Sequence, residues 1–163
     1  MDREVYETLE LRIARQPSET AEYMLVRVLA YCLEYHDGIM LTEGVASGNE
    51  PAIVIRDLTG RITSWIEVGM PDAGRLHRGM KLAGRAAVYT HRDVRKLLAQ
   101  LSSAKIHKAE DIPVYAFDRT FIDNAAPLIE RRSDFSLSVN QGELYMNLAG
   151  REFTSALAKH TLT

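Results

Sequence analysis

The sequence predicts an α/β domain in which helices flank a central mixed β-sheet. In the middle of the chain, segments with helical spacing of apolar residues alternate with short apolar segments typical of strands. The chain has 163 residues, of which 46% are hydrophobic, and neither an internal repeat nor a Pro/Gly-rich linker divides it. Helices that alternate with strands cover both faces of a sheet, and this length suits a single core. Residues 1–163 are therefore predicted to form one domain.

The first part of the chain contains four strand-like segments and one helix-like segment. The strand-like segments, in which apolar residues alternate with polar ones or form a short run, are 9–13, 39–45, 52–55 and 62–68. Between the first two, apolar residues recur at helical spacing from Met24 to Tyr35, and Ser18 is the predicted N-cap of that helix. Residues 57–60 (Asp-Leu-Thr-Gly) are typical of a turn between two strands.

The second part continues the alternation and ends in a hairpin. Helical spacing recurs over 76–83, 94–101 and 121–129, and strand-like runs cover 86–89 and 112–117. The alternating segments 135–139 and 144–148 flank Gly142, a residue suited to the left-handed position of a hairpin loop. After Arg151 the pattern fades, so we expect the tail to fray.

The composition excludes several classes of protein. The chain lacks a run of about 18 apolar residues, so a membrane span is not expected. The charged N-terminus lacks the pattern of a secretory signal. The single cysteine, Cys32, excludes a disulfide framework and a zinc site built from cysteines. Walker, GxGxxG and GxSxG motifs are absent. We expect a soluble, cytoplasmic protein.

The formal net charge of −2 conceals an uneven distribution of charge along the chain. Residues 73–108 contain nine basic residues and one acidic residue, a net charge of +8, whereas the segments on either side are net acidic. Such asymmetry indicates an anionic ligand. The alternative is a solvated helix face that acidic neighbours balance in space.

Two carboxylates bracket the predicted turn at residues 57–60. Asp57 opens the turn, and Glu67 lies ten residues later inside an apolar strand-like segment. A carboxylate among apolar strand residues is costly to bury unless it is paired or binds a cation. On neighbouring strands Asp57 and Glu67 would form a site for Mg²⁺ or Mn²⁺, with Glu19 at the helix start as a third carboxylate. The alternative is that Asp57 caps its turn, Glu67 pairs with an arginine, and Glu19 complements the helix dipole.

A basic stripe follows Glu67 in the sequence. Its members are spaced by 3, 3 and 4 residues along the predicted helix: Arg75, Arg78, Lys81 and Arg85. Cations beside a pair of metal-binding carboxylates suit phosphodiester chemistry, because the metal polarises the phosphate and the cations stabilise the charge of the transition state. We expect this stripe and Arg92 to contact nucleic acid.

These motifs resemble those of the YaeQ family. The first is the segment 14–20 (Ala-Arg-Gln-Pro-Ser-Glu-Thr) together with the helical run 24–31. The second combines Glu50-Pro51, the turn 57–60 and the segment 65–72 (Trp-Ile-Glu-Val-Gly-Met-Pro-Asp). The basic helix, the strand 86–89 and the hairpin continue the resemblance over nearly the whole chain.

The resemblance implies a restriction-endonuclease-like fold, that of the PD-(D/E)XK nuclease superfamily. The core of that fold is a helix, a three-stranded antiparallel meander, a second helix and a further strand, the order that the periodicity predicts. The resemblance also implies that Asp57 and Glu67 bind magnesium and that Glu19 assists.

Two departures from the superfamily pattern accompany the resemblance. Gly69 stands where the (D/E)-x-K motif has its lysine. Arg78 occupies the position on the next helix where the family carries a basic residue, and Lys81 is a substitute one turn later. The family's usual N-terminal strand is expected to be missing, since the chain begins almost at the segment matching Asp2-Arg3.

Two functions follow from these residues. The first is a Mg²⁺-dependent nuclease for DNA or RNA, in which water near a metal held by Asp57 and Glu67 attacks phosphorus and Arg78 or Lys81 stabilises the transition state. The second is a catalytically impaired nucleic-acid-binding or regulatory module on the same fold. The acids and the basic stripe together favour the nuclease slightly.

Overall fold

A computed structural model describes residues 3–5, 20–42, 50–129 and 135–162. The strands within these ranges are β1 (Arg3–Val5), β2 (Ile39–Leu41), β3 (Ile53–Arg56), β4 (Ile62–Val68), β5 (Ala86–Thr90), β6 (Val114–Phe117), β7 (Phe135–Asn140), β8 (Glu143–Leu148) and β9 (Arg151–His160). The helices are α1 (Ala21–Leu33), α2 (Ala73–Ala83), α3 (Val94–Ser102) and α4 (Arg119–Ala125).

The described strands form one mixed sheet in the order β1-β7-β8-β9-β6-β5-β4-β3-β2. At its centre β4, β5 and β6 run parallel, and the other neighbours pair antiparallel. The parallel strands are joined by helical connections, because a parallel crossover must return the chain to the same edge of the sheet. The predicted α/β class with a mixed sheet is thus confirmed.

The alternation of side chains along the central strands gives the sheet two buried faces. Trp65 and Val88 pack with apolar residues of α2 and α3 on one face. Ile66 and Tyr89, the next residues along the same strands, pack with α1 and α4 on the other face. Burying one such side chain fully contributes about 1.5–3 kcal/mol, so both helical layers are held mainly by apolar contact.

The first helix begins later than predicted. Its N-cap is Thr20, whose hydroxyl accepts a hydrogen bond from the Tyr23 backbone N–H at 3.0 Å. The predicted cap at Ser18 and the predicted strand over 9–13 lie outside the described residues. None of the helices within the described ranges has the length and apolar character that crossing a lipid bilayer requires.

The structure corrects the expectation of a frayed tail after Arg151. The hairpin of β7 and β8 forms as predicted, and β9 then pairs with β8 on one side and with β6 on the other. Ala149 and Gly150 both have positive φ and reverse the chain between β8 and β9. The last strand therefore joins the hairpin to the parallel centre of the sheet.

Candidate functional site

A cleft of about 710 Å³ opens at the carboxyl ends of β4 and β5. Its described lining includes three arginines and a histidine: Arg75, Arg92, Arg119 and His91. It also includes five carboxylate residues: Glu22, Glu50, Glu67, Asp72 and Asp123. In open α/β sheets ligands bind at this edge, because the loops that follow the parallel strands meet there.

Two helix N-termini reach the cleft. Thr20 caps α1, and Asp72 caps α2 by accepting a hydrogen bond from the Arg75 backbone N–H at 2.8 Å. Both caps line the cleft. The N-terminal end of a helix carries partial positive charge, so both helices favour an anion in the cleft.

Glu67 is paired with Arg75 in the cleft wall. Glu67 is the second-last residue of β4, two residues before Gly69, and it is 4% exposed. The Arg75 Nε donates to Glu67 Oε2 at 2.7 Å, and Nη2 donates to Oε1 at 3.4 Å. The hydrogen bond with Glu67 raises the pKa of the Arg75 guanidinium above its ordinary value, against the opposing effect of burial. The cation beside Glu67 is therefore Arg75, as the alternative interpretation of this carboxylate expects.

Asp57 is an exposed turn residue. Its Oδ1 accepts hydrogen bonds from the Thr59 hydroxyl at 2.6 Å, the Thr59 backbone N–H at 2.9 Å and the Arg61 backbone N–H at 3.1 Å. The bond from the Thr59 hydroxyl is the largest cause that lowers the pKa of the Asp57 carboxyl. These donors stabilise the turn between β3 and β4, which is the alternative role considered for Asp57.

The structure does not bring Asp57 and Glu67 together. In the hairpin of β3 and β4, Ile53 lies opposite Ile66, and the Asp57 backbone N–H donates to the Arg61 carbonyl at the other end. Glu67 lies six residues after Arg61 along β4, a span of about 20 Å. A Mg²⁺ ion holds its ligands at about 2.1 Å, so one ion does not reach both carboxylates. The structure therefore places the two predicted ligands at opposite ends of the hairpin.

The predicted basic stripe and Arg92 divide among three places. Arg75 and Arg92 line the cleft. Arg78 and Lys81 are exposed on α2, and neither is among the described residues that line the cleft. Arg85 follows α2 at the far end of the helix and donates to Glu34 Oε2 at 2.8 Å. The predicted role of Arg78 and Lys81 beside Glu67 is therefore not supported by their positions, and Glu19 lies outside the described residues.

The cleft residues outside the set predicted from the sequence include Glu22, Glu50, His91, Arg119 and Asp123. The register of β3 and β4 brings Glu50 to the Glu67 end of the hairpin, where the Glu50 carbonyl accepts a hydrogen bond from Arg75 Nη2. Arg119 follows β6, so the rule that sites form at the carboxyl ends of parallel strands would have identified it. Its Nε lies 3.9 Å from Asp123 Oδ2, one turn later on α4.

His91 is a half-buried residue immediately after β5. Its Nδ1 is enclosed and has no hydrogen-bond partner in the described part of the chain. Burial lowers the pKa of the His91 imidazole, while the negative charge of Asp123 opposes that change. The imidazole is therefore neutral at neutral pH.

The cleft carboxylates offer the hard oxygen donors that Mg²⁺ and Mn²⁺ prefer. Glu67, however, is already held by Arg75. Within the described ranges, three or more His, Cys, Asp or Glu side chains are not grouped so that they could hold a metal ion. In this arrangement Arg75 thus occupies one of the two carboxylates to which the resemblance assigns Mg²⁺.

Comparison with known proteins gives one consistent result. The family model described as "YaeQ protein" matches residues 1–157. The Escherichia coli K12 protein named "Uncharacterized protein YaeQ" is 24% identical over 148 residues, which cover 90% of this chain and 82% of that protein. The protein of the same name from Salmonella typhi matches over the same shares with the same identity.

Two crystal structures share the fold. The YaeQ protein from Pseudomonas syringae superposes with a TM-score of 0.88 at 28% identity, over 96% of this chain and 87% of that one. The YaeQ protein from Xanthomonas axonopodis pv. citri superposes with a TM-score of 0.82 at 26% identity, over 91% of this chain and 85% of that one. The overall fold is therefore shared by relatives of low sequence identity.

Proposed function

Since the chain belongs to the YaeQ family, we propose that it is a nuclease-like protein that binds the phosphodiester backbone of DNA or RNA in the cleft. One observation carries the proposal: two helix N-termini and three arginines meet at the carboxyl ends of β4 and β5. Arginine forms bidentate hydrogen bonds to phosphate oxygens, and helix N-termini add backbone donors. The proposal includes a cytoplasmic location, where nucleic acid is within reach.

The layer formed by α2 and α3 extends the cationic surface beyond the cleft. Both helices cover the same face of the sheet, and they belong to the segment with a net charge of +8. Outside the cleft, the exposed cations of that segment are Arg78, Lys81, Arg85, Arg95, Lys96, Lys105 and Lys108, of which Arg85 is paired with Glu34. A polyanion longer than the cleft would gain affinity from such a surface, because each neutralised phosphate releases condensed counterions.

The proposal includes a restriction-endonuclease-like core. The order α1, antiparallel β2-β3-β4, α2 and parallel β5 supports it, since it is the order that the superfamily resemblance implies. Fold likeness alone is weak support for an activity. The proposal therefore rests on the cleft rather than on the fold.

Within this proposal we favour binding without hydrolysis, the catalytically impaired module. Gly69 follows Glu67 at the position of the superfamily lysine and provides no side chain for the chemistry. Arg75 neutralises Glu67, and Asp57 stabilises a distant turn. Two of the residues that the superfamily resemblance assigns to the metal are thus engaged in structural contacts.

Divalent-cation-dependent hydrolysis is the second candidate, and a different observation favours it. Five carboxylate residues and three arginines line the described part of the cleft. This excess of carboxylates weakens the attraction of the cleft for phosphate, and a divalent cation bound with the nucleic acid would offset it. The two candidates therefore differ in whether Mg²⁺ or Mn²⁺ is needed.

Binding tests the proposal directly. Fluorescence anisotropy with labelled oligothymidylate and oligouridylate should show binding that weakens steeply as salt rises. The double variant Arg92→Gln/Arg119→Gln should bind at least about tenfold more weakly, since hydrogen bonds to charged groups contribute about 1.5–3 kcal/mol. Arg61→Gln, at the distant turn, is the matched control and should bind like the wild type. Equal binding by the double variant and the wild type would disprove the proposal.

The same oligomers separate the two candidates. Incubation with Mg²⁺ or Mn²⁺ and electrophoresis should leave them intact if the protein is a binding module. Cleavage that needs the cation and disappears in Glu67→Gln, with binding retained, would establish the hydrolase instead.

A further inference from the structure

His91 presents one specific ring nitrogen to the cleft. The residue follows β5 directly and lines the cleft with Arg92 and Arg119. It is half-buried, and of its two ring nitrogens Nδ1 is the enclosed one without a hydrogen-bond partner in the described part of the chain. Nε2 is not among the buried atoms without a partner in the described residues, so it is the ring nitrogen that can meet a ligand in the cleft.

The environment of Nδ1 decides where the neutral ring carries its proton. A neutral imidazole has one N–H donor and one acceptor nitrogen. A proton on Nδ1 would be a buried donor without an acceptor, and such orphaned donors are rare because they lose their hydrogen bonds to water. The proton therefore resides on Nε2, so Nε2 is a donor and does not serve as a base in this state.

The charged groups around His91 come from three elements. Asp123 and Arg119 belong to α4, Glu22 belongs to α1, and Arg92 is the next residue in the chain. The two carboxylates favour the protonated ring, and the two arginines disfavour it. Because these influences oppose one another, burial decides the outcome and keeps the ring neutral at neutral pH.

We propose that the His91 Nε2–H donates a hydrogen bond to a phosphate oxygen of the nucleic acid bound in the cleft, beside Arg92 and Arg119. The inference rests on the proposed binding function and assigns a contact to a residue that the sequence pattern did not identify. A phosphodiester presents only acceptor oxygens to the cleft, so the fixed Nε2–H tautomer matches its chemistry. The two arginines supply charge, and the neutral histidine supplies a donor whose direction is fixed by the enclosed side of the ring.

NMR spectra of the ¹⁵N-labelled full chain test the tautomer and the contact. Long-range ¹H–¹⁵N correlations should show His91 as the Nε2–H tautomer in the free protein at neutral pH. Oligouridylate or oligothymidylate should shift the Nε2 signal, whereas methylphosphonate oligomers, whose backbone is uncharged, should leave it in place. An Nδ1–H tautomer, or oligomer binding without movement of the Nε2 signal, would overturn the inference.

Substitutions separate a hydrogen bond from a structural role. His91→Gln places an amide N–H near the position of Nε2 and should retain oligomer affinity, whereas His91→Leu should lose about tenfold. His36→Leu, an exposed residue after α1, is the matched control and should bind like the wild type. Circular dichroism confirms that each variant is folded.

The outcomes distinguish this inference from the proposed function. Equal affinities of folded His91→Leu and wild type overturn the inference and leave the binding function in place. Equal losses in His91→Gln and His91→Leu also overturn it, since they indicate packing rather than donation. Absence of binding by the wild type to either oligomer overturns both.

Discussion

At the scale of single residues, hydrogen-bond partners decide what each carboxylate does. Asp57 and Glu67 belong to the same hairpin, yet three donors of a turn hold Asp57, whereas one half-buried arginine holds Glu67. Replacing Arg75 would leave Glu67 buried without a counter-charge, a change that typically costs several kcal/mol. The ion pair therefore maintains the cleft wall, and Asp57 maintains a turn about 20 Å away.

Replacing Asp57 should affect stability and leave the cleft unchanged. Because the folded pKa of Asp57 lies below its ordinary value, its stabilising contribution is complete above about pH 4 and is lost as the pH falls through the lowered pKa. In urea unfolding, Asp57→Ala should be less stable than the wild type at neutral pH, and the difference should narrow towards pH 2. Its oligouridylate affinity should equal that of the wild type. A large loss of affinity would restore Asp57 to the binding site.

The environments of the two carboxylates can be predicted in part from the sequence. It identifies Glu67 as a buried carboxylate, because apolar residues surround it in a strand, and it places Asp57 in a turn. It does not show which arginine reaches Glu67, since Arg75 and Arg78 lie about one turn apart on the same side of the helix. The pairing depends on how α2 packs against β4, which is a property of the tertiary structure.

At the scale of elements, a glycine controls how closely α2 approaches the sheet. A Cβ atom added to Gly79 would lie 2.4–2.5 Å from atoms of the Trp65 ring. The helix backbone therefore packs directly on the indole, and only glycine leaves room for it. This close approach keeps α2 on β4 and so positions Arg75 beside Glu67.

Adding a methyl group at this contact should therefore destabilise the protein. Gly79→Ala gains helix propensity of about 1 kcal/mol but forces the ring or the helix to move, and overpacking costs about 1–3 kcal/mol. The net expectation is a lower free energy of unfolding in urea. Gly74→Ala in the same helix is the control, since its added Cβ meets only the Asp72 side chain at 3.3 Å. A Gly79→Ala variant more stable than the wild type would contradict this packing.

Apolar periodicity predicts some of the strands and helices well and β9 poorly. The strands and helices of the parallel centre follow from clear apolar spacing, and β4 has the predicted bounds. In β9 only Ser155 is buried, and Phe153 and Leu157 on the same side of the strand pack partly buried against the core. Its place is fixed by pairing with β6 and β8, and pairing between distant segments leaves no periodic signal in the strand itself.

At the scale of the whole molecule, the net charge of −2 separates into distinct surfaces. The layer of α2 and α3 carries the basic segment, and the cleft at the edge of the sheet combines carboxylates with arginines. The sequence alone indicates the basic segment and the connection to phosphate. It does not reveal the cleft, because Glu50, His91 and Arg119 come from distant parts of the chain and meet only in the folded sheet.

The location of bound nucleic acid tests the proposed binding in the cleft most directly. Amide ¹H–¹⁵N spectra recorded during titration with oligouridylate or oligothymidylate should show the largest shifts at Gly69, His91 and Arg119, around the cleft. The turn at residues 57–60 should remain unchanged and serves as an internal control. Shifts confined to the outer surface of α2 and α3 or to the turn, with the cleft unmoved, would contradict the account.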